Sequence, residues 1–123
     1  SATDIEPENA TYLGHLASAY AAAGRPGEAR ETLSWAERFP PREAEGWMAI
    51  GAAWDRLGET DKAVAAFRSA RGSAGAGPGA DAGAALALAR AGRTAGARRV
   101  LEDAMRRYPD SSALRQLAAR LGG

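Results

Sequence analysis

Large apolar residues along this chain recur in steps of three and four, the rhythm of one face of a helix. Trp47, Ile50, Gly51 and Trp54 stand at i, i+3, i+4 and i+7. Gly58 ends that stretch, because glycine accepts the left-handed conformation that closes a helix. After Glu59-Thr60-Asp61, a second stripe runs through Ala63, Phe67 and Ala70. A Thr/Asp start suits the unpaired N–H groups of a helix beginning there. The preceding stretch has the same form, with Leu13, Leu16, Ala17 and Tyr20, then Gly24, then Ala29, Leu33 and Ala36, closed by Pro41. Pro26 fits the first turn of a helix, where no intrahelical N–H is needed. Near the end of the chain Leu114, Leu117, Ala118 and Leu121 make one more stripe, with Arg115 and Arg120 off it.

These stripes repeat with a fixed period. Gly24, Gly58 and Gly92 are 34 residues apart, as are Ala29, Ala63 and Ala97. The same step carries Leu33 to Phe67 to Leu101, Ala36 to Ala70 to Ala104, Tyr20 to Trp54 to Leu88, and Leu16 to Ile50 to Ala84. Matched size classes over three copies mark a helix pair used three times. Ala17, Gly51 and Ala85 are expected at the crossing of the two helices in each pair. A larger side chain there would push the axes beyond the usual separation of roughly 8–10 Å. Tyr20, Trp54, Leu33 and Phe67 are expected to fill the gaps beside them. One pair cannot bury both its faces, so the copies must stack. The reading is an all-α solenoid.

Composition narrows the function. Sixteen basic and fifteen acidic residues leave a net charge of +1, without the excess of positive charge a nucleic-acid binder uses. There is no cysteine and one histidine, His15, which removes disulfides, thiolate metal sites and multi-histidine sites. Apolar residues are 46% of the chain but aromatics only 7%, so the core must be thin, close-packed and alanine-rich. No apolar run approaches the roughly 20 residues that span a bilayer, and direct membrane insertion is not expected. Lys62 is the only lysine against fifteen arginines. With the abundant Ala and Gly, this is the look of a GC-rich bacterial coding sequence and carries no functional claim.

The second copy, with Trp47, Ile50-Gly51, Trp54, Gly58, Ala63, Phe67 and Ala70, resembles the tetratricopeptide repeat family. The first copy keeps most of the pattern. The third is degenerate, with Asp81 in place of the first large residue and Ala84 in place of the next. On this resemblance the solenoid is right-handed, residues 1–9 are the remnant of a preceding repeat, 10–43, 44–77 and 78–110 are three repeat units, and 111–123 is a capping helix, with a truncated fourth repeat as the rival for the last. Pro7 lies 34 before Pro41, so residues 1–6 read as the last turn of a helix cut from a longer array. The segment from Gly72 to Gly79 lacks the proline expected at Gly75. It reads as a flexible loop, with the next helix starting near Ala80 or Asp81 and a weakly held third copy containing Gly83.

The resemblance implies a groove, lined by the first helix of each pair, that receives a peptide or helix from a protein partner. Residues off the packing stripes should face it. In copy one these are Thr11, Gly14, Ser18 and Ala22. Copy two supplies Glu45, Met48, Ala52, Asp55 and Arg56. Copy three supplies Ala82, Leu86 and Arg90, and the last helix Arg115. The residues assigned to partner binding are Ser18, Met48, Ala52, Asp55, Arg56, Leu86, Arg90 and Arg115. Met48 and Leu86 are the apolar prominences, and Arg56, Arg90 and Arg115 could form a basic strip for an acidic segment. The carboxylate clamp of some family members falls on Gly14, Ser18, Ala49, Gly79 and Gly83, which cannot supply it.

Catalytic chemistry finds no footing. The run Gly75-Ala76-Gly77-Pro78-Gly79 follows a helix, and no Lys-Ser/Thr follows it, which is the wrong context for a phosphate loop. The pairs Glu28/Glu31 and Glu102/Asp103 read as solvated helix faces, and His15 as a surface or groove residue without an acidic partner. No enzyme activity, cofactor or metal is expected. The reading is a protein-interaction scaffold, one segment of a larger protein. Two alternatives stand beside it. One is a structural spacer in the periplasmic repeat region of a bacterial exopolysaccharide (for example cellulose) export protein. The other is a repeat region accessory to an enzyme such as a glycosyltransferase. Other repeats of the parent chain are further candidates for the groove. The compartment is not assigned: the periplasm follows for an export role, the cytoplasm otherwise.

Overall fold

The computed structural model describes residues 7–122, with side chains described over 11–121. Among the described residues seven helices follow one another: α1 (Pro7–Ala22), α2 (Pro26–Arg38), α3 (Ala44–Arg56), α4 (Thr60–Arg71), α5 (Pro78–Arg90), α6 (Thr94–Arg107) and α7 (Ser112–Gly122). Among the described residues there is no strand, only an isolated bridge between Glu43 and Ala74. The expected end of an earlier helix over residues 1–6 lies outside the described residues. Pro7, Glu8 and Asn9 belong to α1.

The helix starts carry the period. α2, α4 and α6 begin at residues 26, 60 and 94, and α3, α5 and α7 at 44, 78 and 112, steps of 34 in both series. Each turn inside a pair is built alike. Gly58 has φ +80°, and its N–H donates to the Asp55 carbonyl at 3.0 Å while the Glu59 N–H donates to the Trp54 carbonyl at 2.9 Å. This double bond closes orphan carbonyls at the helix end, and it needs a residue comfortable at positive φ. Arg25 to Tyr20 and Arg93 to Leu88 repeat the longer bond at 2.9 and 2.8 Å. The Thr60-Asp61 start does not cap α4 through a side chain. The N-cap is Glu59, which makes no capping side-chain bond.

The helices lie in two rows. α1, α3, α5 and α7 form an inner row in which each helix touches the next, while α2, α4 and α6 form an outer row whose members do not pack on one another. The repeated small residues sit between helices. Ala29, Ala63 and Ala97 are fully buried, and Ala36, Ala70 and Ala104 nearly so, alternating along the outer helices with Leu33, Phe67 and Leu101. Ala17 and Ala85 are also fully buried. At Gly51 an added Cβ would stand 2.9 Å from the Phe67 ring, so this glycine sets how closely α3 approaches α4.

The two junctions between pairs differ. α1 packs broadly on α3, and a Cβ on Gly14 would stand 2.8 Å from the Gly46 carbonyl oxygen. Gly14, expected to face the groove, is therefore buried in that contact. α5 touches α3 much less and leans on α4 instead. It does so through Gly83, where a Cβ would lie 2.7 Å from Cζ of Phe67. That corrects the reading of Gly83 as a weak point. Alanine there would gain about 1 kcal/mol of helix propensity, but it would press on a filled aromatic site, at a cost of roughly 1–3 kcal/mol. Gly83→Ala is accordingly expected to lower stability by up to about 2 kcal/mol, read as a lower urea midpoint by circular dichroism.

The segment between α4 and α5 also departs from expectation. α5 begins at Pro78, in its first turn, rather than at Ala80 or Asp81. The loop before it is tied down. The Ala44 N–H donates to the Ala74 carbonyl at 2.8 Å, the Ser73 hydroxyl to the Ser69 carbonyl at 2.6 Å, and Gly75 turns the chain at φ +81°. Asp81 is a buried part of the third copy, only 3% exposed.

Candidate functional site

Because α5 stands off α3 and leans on α4, a groove opens between α3 and α5 on the inner row. Its volume is about 530 Å³. Met48, Ala52, Asp55 and Arg56 project into it from α3, Leu86 and Arg90 from α5, with Gly79 and Gly83 as bare backbone and Phe67 of α4 at its floor. On α3 the first three lie at i, i+4 and i+7, one face of a helix, which is why residues off the packing stripe converge here. Small residues deepen the groove. At Gly79 a Cβ would meet Cε of Met48 at 2.9 Å, so the methionine lies across α5 backbone.

Six of the eight residues assigned to partner binding are thereby brought together: Met48, Ala52, Asp55, Arg56, Leu86 and Arg90. Ser18 is half-buried on α1 and Arg115 exposed on α7, and neither lines this groove. The basic strip does not assemble. Arg90 is ion-paired with Asp55 across the groove, Arg115 lies apart, and only Arg56 remains on the wall. Asp55 contributes a side chain only 10% exposed to this bridge between α3 and α5. The groove is therefore apolar along most of its length, with one internally paired end.

His15 is not isolated. Its Nε2 lies 3.2 Å from the Glu45 carboxylate of α3, a surface contact that links α1 and α3. Glu28 pairs with Arg25, just before α2, and Asp103 with Arg106 of α6, each at 3.6 Å. Among the described residues no three His, Asp or Glu side chains gather as a metal site, and no helix is long and apolar enough to cross a membrane.

Phe67, Gly79 and Gly83 belong to the groove but were not expected there. The interior of its own pair is the expected place of Phe67, while Gly79 and Gly83 are expected only as failed clamp positions and, for Gly83, as a weak point of the third copy. The signal was present in the columns. Where copy two has Phe67, the others have Leu33 and Leu101. Where α5 has Gly83, α3 has Ala49 and α7 has Leu117. The largest ring faces the smallest residue.

A family model described as tetratricopeptide repeat matches residues 78–121, the stretch from the start of α5 into α7. The match falls on the copy with the weakest sequence pattern, whose helix pair and following helix nonetheless keep the spacing. No curated protein and no solved structure matches the chain.

Proposed function

We propose that this chain, a member of the tetratricopeptide repeat family, is a non-catalytic scaffold that takes a peptide or helix of a protein partner into the groove between α3 and α5. Repeats of this family generally mediate protein–protein interaction and are typically not enzymes. The observation that carries the reading is the convergence of Met48, Ala52 and Leu86 on a groove of about 530 Å³. That volume suits one or two bulky side chains of a ligand. Met48 is the adaptable element, since an unbranched thioether can follow the shape of an apolar guest. An amphipathic helix or an extended segment with apolar residues at matching spacing would bury its face there. The Asp55–Arg90 pair marks the polar end and would set the direction of the guest.

The test is a peptide selected from a random display library on the immobilised chain and then measured by fluorescence anisotropy. Met48→Glu with Leu86→Glu is expected to weaken it at least tenfold while the far-ultraviolet dichroism stays that of the parent. Undiminished binding with both charges in place would remove the groove from the account. The spacer alternative predicts that no such peptide is found.

A further inference from the structure

The outer row carries two clefts that are copies of one another. The first lies among α2, α3 and α4 and is lined by Leu33, Trp47, Ile50, Trp54, Lys62 and their neighbours, with a volume of about 200 Å³. The second lies among α4, α5 and α6 and is about 540 Å³. A step of 34 residues carries Leu33, Trp47, Ile50 and Trp54 of the first onto Phe67, Asp81, Ala84 and Leu88 of the second. In the first cleft two indoles fill the space, and Lys62 stands over the Trp54 ring at 4.5 Å. In the second those indoles are replaced by a carboxylate and a leucine, and the space is left open.

The rim changes with the floor. Glu37 and Ala65 of the first cleft correspond to Arg71 and Arg99 of the second, and Arg68 joins them there. All three arginines are exposed, and among the described residues none makes an ion pair. Arg93, by contrast, is held by Asp61 at 2.6 Å. Asp81 adds a third observation. One carboxylate oxygen accepts from Arg107 at 2.9 Å, while Oδ2 is buried with no hydrogen-bond partner among the described residues. Buried polar atoms almost always have a partner, so this one calls for a donor.

We propose that the cleft among α4, α5 and α6 is a second docking site, on the outer row, for an acidic peptide segment carrying one tryptophan-like side chain. The side chain takes the volume that the indoles of Trp47 and Trp54 take in the preceding copy. It rests on Ala84, Leu88 and Val100. The flanking carboxylates of the peptide pair with Arg68, Arg71 and Arg99, for which the guanidinium fork is suited. The site shares Phe67 with the inner groove but opens on the other row, and it does not rest on the function proposed for that groove.

The probe is a fluorescein-labelled, end-blocked peptide Glu-Asp-Trp-Asp-Glu, titrated with the 123-residue chain by anisotropy at low salt. Saturable binding is expected, weakening as salt rises. Replacing the acids of the probe by lysine, or its tryptophan by alanine, should lower affinity at least tenfold. On the protein, Arg71→Glu with Arg99→Glu should do the same through charges on the surface, with native dichroism. Leu88→Trp should do so by refilling the cleft in the manner of the second copy. Met48→Glu with Leu86→Glu should leave binding within twofold. The proposal is overturned if the acidic probe does not saturate, if the lysine probe binds as well, or if the groove variant loses binding while the arginine variant keeps it.

Discussion

Phe67→Ala is expected to lower stability by about 3–5 kcal/mol, the range for removing a buried ring and leaving its cavity. Phe67 is 5% exposed, and its ring fixes two helix approaches at once, α3 through Gly51 and α5 through Gly83. Because α5 meets the second copy mainly through α4, the ring holds the third copy to the second. The loss is a large share of the total for a chain of this size, where roughly 5–15 kcal/mol is usual. Chemical denaturation followed at 222 nm should show a markedly lower midpoint. Phe67→Leu, the residue of the other two copies, should cost much less. Combined with Gly83→Ala, it should cost less than the two single changes added, because the methyl fills what the smaller side chain vacates. Additive losses would show that ring and glycine do not face one another as described.

Arg107→Ala is expected to destabilise the chain by about 2–3 kcal/mol, and Asp81→Ala by about 1 kcal/mol or less. The asymmetry follows from burial. The Asp81 side chain is 4% exposed and that of Arg107 34%, and the pair joins α5 to α6 at 2.9 Å. Without Arg107 the carboxylate is left buried with neither oxygen paired. Without Asp81 the guanidinium turns to water at little cost. The loss on Arg107→Ala stays below the full penalty of breaking a buried pair, because the arginine is itself partly solvated. Equal losses in the two variants would mean that the carboxylate is hydrated after all.

The parts of the fold that depend on local periodicity were legible in the sequence. The stripes at three and four, the glycines at 24, 58 and 92, and the alanines between large residues are all local statements, and each pair obeys them independently of its neighbours. The relation between pairs was harder to read. Gly14 looked like a groove residue because it lies off the stripe of α1, yet α1 and α3 come close enough to bury it. Gly83 looked like a propensity defect because its counterpart, the Phe67 ring, belongs to another helix. Asp81 looked like decay of the pattern, since its partner Arg107 is 26 residues away in sequence and on a different helix. The groove itself was legible in part on α3 and α5, where helix register brings Met48, Ala52, Asp55, Arg56, Leu86 and Arg90 together but leaves the expected Glu45 and Ala82 outside and the unexpected Gly79 and Gly83 within. It was not legible on α1 and α7, where Ser18 and Arg115 fall outside it, because the spacing of inner helices is set by contacts that no single repeat contains.

Amide chemical-shift mapping of the uniformly nitrogen-15-labelled chain, titrated with a peptide selected on it, bears most directly on the inner groove as the place where a partner is held. Shifts concentrated on Met48, Ala52, Gly83 and Leu86, and absent when Met48→Glu and Leu86→Glu are combined, are the expected result. Saturating shifts that leave α3 and α5 untouched would contradict it.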